Sequence, residues 1–145
     1  MLLAALIVSG SMKNKVSSAE IEDVFEEVKA KISMDNMLEG DNQMIKRLYG
    51  LNPEDYEGCV LYYPETNMDA QELFIVKLAD VSQQKDVEAA VEKRIETQKK
   101  TFDGYGIEQY ALLTDNSVVE VRGNYILFIV NQNSESAKSA FSDAL

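Results

Sequence analysis

From Ile21 onward the apolar positions recur every three or four residues. Ile21, Val24, Phe25, Val28 and Ile32 form one stripe, and Glu22, Asp23, Glu26, Glu27, Lys29 and Lys31 take the other side. This spacing predicts an amphipathic helix with a solvated acidic face. Ser17 and Glu20 stand at the separation of a capping box, with Val16 and Ile21 placed as a hydrophobic staple. A second, short helix is predicted over 41–49, with Met44, Ile45 and Leu48 inward and Gly50 as its stop. Asn52-Pro53-Glu54-Asp55 reads as a cap followed by one helical turn.

The pattern then changes. Cys59 to Tyr63, closed by Pro64, and Leu73 to Ala79 are short runs dense in apolar and β-branched residues, and both are predicted strands. Helical spacing returns from Ser82 to Phe102 through Val87, Val91, Ile95 and Gln98, with Asp103-Gly104 as the end. Residues 105–115 fit either a short helix or an irregular connector. Val118–Arg122, Gly123-Asn124 and Tyr125–Val130 form a predicted hairpin, its two loop residues both tolerant of positive φ. Ser134 is expected to cap a last helix that carries Ala137, Ala140, Phe141 and Ala144. The predicted order is ααββα, connector, ββα. It implies an α+β domain with a single, mostly antiparallel sheet of about four strands and helices on at least one face.

The N-terminus departs from this pattern. LLAALIV, at 2–8, resembles the end of a secretory apolar region, and Ser9-Gly10 supply small residues. A lipoprotein signal would continue with a cysteine, which forms the thioether to diacylglycerol, but position 11 is Ser11. Three readings fit: a cysteine replaced by Ser11, an ordinary export signal lacking its basic start, or a structural segment. The run is too short to span a bilayer, which takes ~20 residues. We read 1–17 as a truncated export signal and polar tether, and 18–145 as one domain.

Composition narrows the function. The 145 residues include 14 Lys and Arg against 25 Asp and Glu, a net charge of −11. That balance argues against nucleic acid, which needs a basic face, and against adsorption on anionic lipid headgroups. Any membrane association is then expected only through an N-terminal anchor. With no histidine, neither a Ser-His-Asp nor a Cys-His site can be built within this chain. The single cysteine, Cys59, sits among apolar neighbours and reads as a small buried hydrophobe. The stretch from Asp35 to Gly40 begins like a calcium loop, but Met37 and Lys46 stand where oxygen ligands are required. No cofactor is expected. Glu65, Asp69 and Glu72 cluster between two strands and could serve a carboxylate-dependent hydrolase, although solvated loop residues are the simpler reading.

Tyrosine offers the more distinctive chemistry. Tyr62-Tyr63-Pro64 and Tyr105-Gly106-Ile107-Glu108-Gln109-Tyr110 place aromatic rings with polar tips where elements end. Such rings give a recognition surface large area at low entropic cost. Tyr62, Tyr63, Asn67, Tyr105, Gln109 and Asn124 are therefore the candidate contact residues.

The stretches LYGLNPEDYEGCVLYYPETNMDAQELFIVKLAD, KKTFDGYGIEQYALL and VVEVRGNYILFIV resemble the bacterial domain-of-unknown-function family 4358. The resemblance runs over nearly all of residues 18–145. It implies a small exported protein of Gram-positive bacteria, usually lipidated, and so an envelope location with Cys expected at position 11. It implies no catalytic residues. The expectation is an extracytoplasmic, non-enzymatic module that binds an envelope protein, a peptide or a small ligand. A hydrolase acting on an envelope substrate and a purely structural or oligomeric subunit are the alternatives.

Overall fold

The computed structural model describes residues 15–145. Ser11 and the apolar run before it lie outside the described residues. Strand β1 is Met37–Glu39, β2 Gly58–Pro64, β3 Glu72–Lys77, β4 Ser117–Arg122 and β5 Tyr125–Val130. They form one antiparallel sheet in the order β1-β2-β3-β5-β4. Helices α1 (Ile21–Lys29) and α5 (Ser134–Asp143) cover one face. Helices α2 (Asn42–Tyr49), α3 (Gln84–Phe102) and α4 (Ile107–Asp115) cover the other.

The two central strands explain the layering. Every residue of β3 and β5 is buried, which is why ELFIVK and YILFIV lack a polar alternation: both of their faces are covered. Phe74, Val76, Ile126 and Phe128 point toward α2 and α3, and Leu73, Ile75, Leu127 and Ile129 toward α1 and α5. The register pairs Phe74 with Phe128 and Ile75 with Leu127, so each layer has its own apolar ladder.

Most predicted elements stand where the periodicity placed them, with four differences. The sheet has five strands rather than about four, because Met37–Glu39 pairs with Tyr62–Pro64; three residues are too few to carry a period. Ser134 is the first residue of α5 rather than its cap, which is Asn133. Of the two readings of 105–115 the short helix forms, as α4, whose only buried residue is Leu113. The capping box does not form. Helix α1 has Glu20 as N-cap without a side-chain bond, Ser17 Oγ accepts from the Ala19 N–H at 3.1 Å, and Val16 is 60% exposed. In the β4–β5 turn only Gly123 takes positive φ (57°) and Asn124 does not, as in a type II′ turn. The α2 boundaries agree with expectation: Asp41 accepts from the Met44 N–H, and Gly50 ends the helix at φ 68°.

Phe128 is fully enclosed in the layer beneath α2, with its ring edge-on to Tyr49 at 6.5 Å between centroids. Phe128→Ala is expected to destabilise the domain by about 3–5 kcal/mol, read as a lower urea midpoint with little change in slope.

Candidate functional site

β3 opens with a carboxylate, Glu72, only 2% exposed. Strand alternation sends it to the same face as Phe74, toward α2 and α3. A buried carboxylate must be paired or lose its charge, and two helices supply the partners. Arg94, on α3, donates Nε to Oε2 at 2.9 Å and Nη2 to Oε1 at 2.7 Å, a bidentate fork. Tyr49, the last residue of α2, donates its hydroxyl to Oε2 and stacks on Phe74 with ring centroids 4.2 Å apart. One carboxylate thus joins two helices to the sheet.

The surroundings shift the partners' titration. Burial, then the charge and hydrogen bond of Glu72, hold the Tyr49 hydroxyl well above the ordinary tyrosine range. Burial acts to lower the Arg94 pKa, but the bonds and charge of Glu72 outweigh it and raise it. On the opposite face, burial followed by Glu57 and the acids of α1 pushes Tyr125 up to about 12.

Beside this network lies an open groove of about 270 Å³ between α2, α3 and the β2–β3 loop. Arg94 and Gln98 from α3, Arg47 from α2, and Tyr63, Asn67 and Asp69 from β2 and its loop line it. Arg94 has a second face here: Nε and Nη2 are occupied by Glu72, while Nη1 has no partner among the described residues. The groove therefore offers two guanidinium groups, an aromatic ring, a carboxamide and loop carboxylates, a set suited to holding a polar or zwitterionic group. A larger cavity of about 380 Å³ is lined by Lys15, Val16, Ser17, Arg122 and Leu145; there Arg122 and Lys138 both approach Glu120, at 4.0 and 3.7 Å.

The candidate contact residues fall in different places. Tyr63 and Asn67 meet in the groove. Gln109, on α4, accepts from the Ala70 N–H at 2.9 Å and so holds the end of the loop that carries Asn67. Tyr62 goes to the other face, as alternation requires. It stacks on Phe25 at 5.2 Å, donates its hydroxyl to Glu39 at 3.0 Å, and is raised in pKa by burial and then Glu39. Tyr105, 72% exposed, stands on the α3–α4 turn. Asn124 is buried rather than available to a ligand: Oδ1 accepts from the Ser17 N–H at 2.7 Å and Nδ2 donates to the Ser17 carbonyl at 3.1 Å. Ser11 lies outside the described residues. Sequence reasoning missed Arg47, Arg94, Glu72 as a paired group, and Tyr49. The available signal was Arg94 itself, a charge on the inner side of the Val91–Gln98 stripe, with an acid opening an otherwise apolar strand.

The sequence model of the domain of unknown function DUF4358 matches residues 30–131, well over half of the chain. That span holds the whole sheet, α2–α4 and the groove, and leaves α1 and α5 outside. No curated protein and no solved structure matches the chain.

Two outcomes are expected. Arg94→Met leaves Glu72 buried without its cation and is expected to cost about 3–5 kcal/mol, whereas Arg94→Met with Glu72→Leu recovers most of that loss in chemical denaturation. Tyr49 and Tyr125 keep their protons in the folded state above the unfolded value of about 10. Stability is then intact below about pH 10 and lost as pH rises beyond it, because the unfolded chain releases protons that the fold retains. Urea midpoints between about pH 8 and pH 11 read that fall, and Tyr49→Phe shrinks it.

Proposed function

We propose, from the premise that the chain belongs to the domain-of-unknown-function family DUF4358, that it is a binding or accessory module of the cell envelope. In this reading it is attached at its N-terminus and takes a peptide, protein segment or small polar ligand in the α2–α3 groove. One observation carries the preference for binding over catalysis. The buried charges next to the groove are engaged with each other, Glu72 by the Arg94 fork and by Tyr49, so the network positions groups and leaves no free base or nucleophile of its own. The groove wall formed by Tyr63 of β2, Asn67 of the following loop and Arg47 of α2 supplies contact area and donors. Export rests on the apolar run at 2–8 and its small-residue end.

Glu65 and Asp69 also line the groove, and this favours the second reading, a carboxylate-dependent hydrolase acting on an envelope substrate. The readings separate by exposing isotopically labelled protein to soluble cell-wall fragments and to an envelope peptide extract. Binding without turnover is expected, with amide shifts confined to Tyr63, Asn67 and their neighbours and abolished by Arg47→Ala. Release of product that stops with Glu65→Gln or Asp69→Asn would replace the binding reading with the hydrolase. Protease treatment of intact producing cells tests the address: the domain should be digested, and a fully protected chain would end the envelope reading.

A further inference from the structure

The residues before α1 are held by a set of bonds that the groove does not explain. Asn124 grips both backbone groups of Ser17. The Tyr125 hydroxyl and Lys77 Nζ converge on the Ala19 carbonyl at 2.6 and 2.9 Å. Gly123 lies against the Lys15 carbonyl so closely that a Cβ there would collide with it. Asn124 is 4% exposed, so its two bonds to Ser17 are made out of contact with water, where each counts for more than at an open surface.

The sheet register says where this strap sits. Lys77 pairs with Tyr125 at one end of β3, and Glu72 pairs with Val130 at the other. The strap is bound at the Lys77–Tyr125 end. The β2–β3 loop, and the groove with it, precede Glu72 at the opposite end. At ~3.3 Å per residue the two ends of β3 are about 17 Å apart.

We infer that residues 15–19 are a docked strap that fixes where the N-terminal segment leaves the domain, at the pole opposite the groove. An attached domain then presents the groove away from its attachment and toward a partner approaching from outside. The consequence for partner access rests on the attachment proposed above; the strap and its pole do not. Asn124 is in this account a positioning residue, and the turn Gly123-Asn124 is shaped by the strap rather than by a ligand.

A spin label at Ser11→Cys in a Cys59→Ala chain tests this in solution without a membrane. Amides at Gly123 and Lys85 should lose most of their signal, and those at Thr66 and Asn67 should keep theirs. The Ser17 amide should exchange with solvent at least about tenfold more slowly than that of Ser18, which has no partner among the described residues. Asn124→Ala should bring the two rates together while circular dichroism stays native; Asn124→Asp, which retains the acceptor, should keep part of the protection. Equal signal loss at both poles, or a Ser17 amide as fast as Ser18 in the otherwise unsubstituted chain, overturns the inference. Either failure leaves the envelope reading standing, because no step depends on lipid or on export.

Discussion

A carboxylate buried at the mouth of a central strand constrains everything around it. Glu72 cannot stay charged in the core without donors, and the fold supplies three, two from the Arg94 guanidinium and one from the Tyr49 hydroxyl. Because those donors belong to different helices, satisfying one side chain sets the positions of α2 and α3 together. An apolar residue in its place would pack as well or better, since burying an ion pair seldom increases net stability. What the charge adds is direction. Leucine slides on a sheet face, whereas a bidentate fork has one geometry.

The groove follows from that geometry. Its two helical walls are the elements Glu72 ties down, and its third wall, the β2–β3 loop, is held by Gln109 through the Ala70 amide. Arg94 contributes to both structures, its inner edge closing the ion pair and its outer edge lining the groove. Any group that engaged the outer edge of Arg94 would therefore also act on α3 and on Glu72. The opposite layer does separate work. There Tyr125, Lys77 and Asn124 receive the incoming chain, and α1 and α5 seal the second apolar ladder. The family match covers the groove layer and the sheet, and stops short of the two helices that seal the other face. The sheet and the groove layer are thus the parts of this chain that the family's sequence model matches.

How far this was legible varies with the kind of signal. Elements whose burial follows a period were readable: α2 with its Asp41 cap and Gly50 stop, α3 with Val87, Val91 and Ile95, and the strands that became β2, β3 and β5. β1 was hidden because three residues have no period, and α4 stayed open between helix and connector because it buries only Leu113. Tyr62 and Tyr63 were legible as aromatics at a strand end. Alternation then divides them between faces, and only Tyr63 can share a groove with Asn67. Asn124 looked like an exposed turn residue because hairpin tips usually face water. Here a segment more than a hundred residues earlier covers it, and local sequence holds no trace of such a contact. The Glu72–Arg94 pair, 22 residues apart, left a faint mark as charges at inward positions. Which acid met which base depended on the register of the packed sheet.

If Glu72 fastens α2 to the sheet, α2 should not open before the domain does. Native-state hydrogen exchange measures this directly by comparing the amides of Ile45 and Tyr49 with those of Leu127 and Phe128. The account predicts that both sets exchange only through global unfolding, with the same free energy and the same dependence on denaturant. Amides in α2 that exchange through a low-energy local opening, while β5 stays protected, would contradict it.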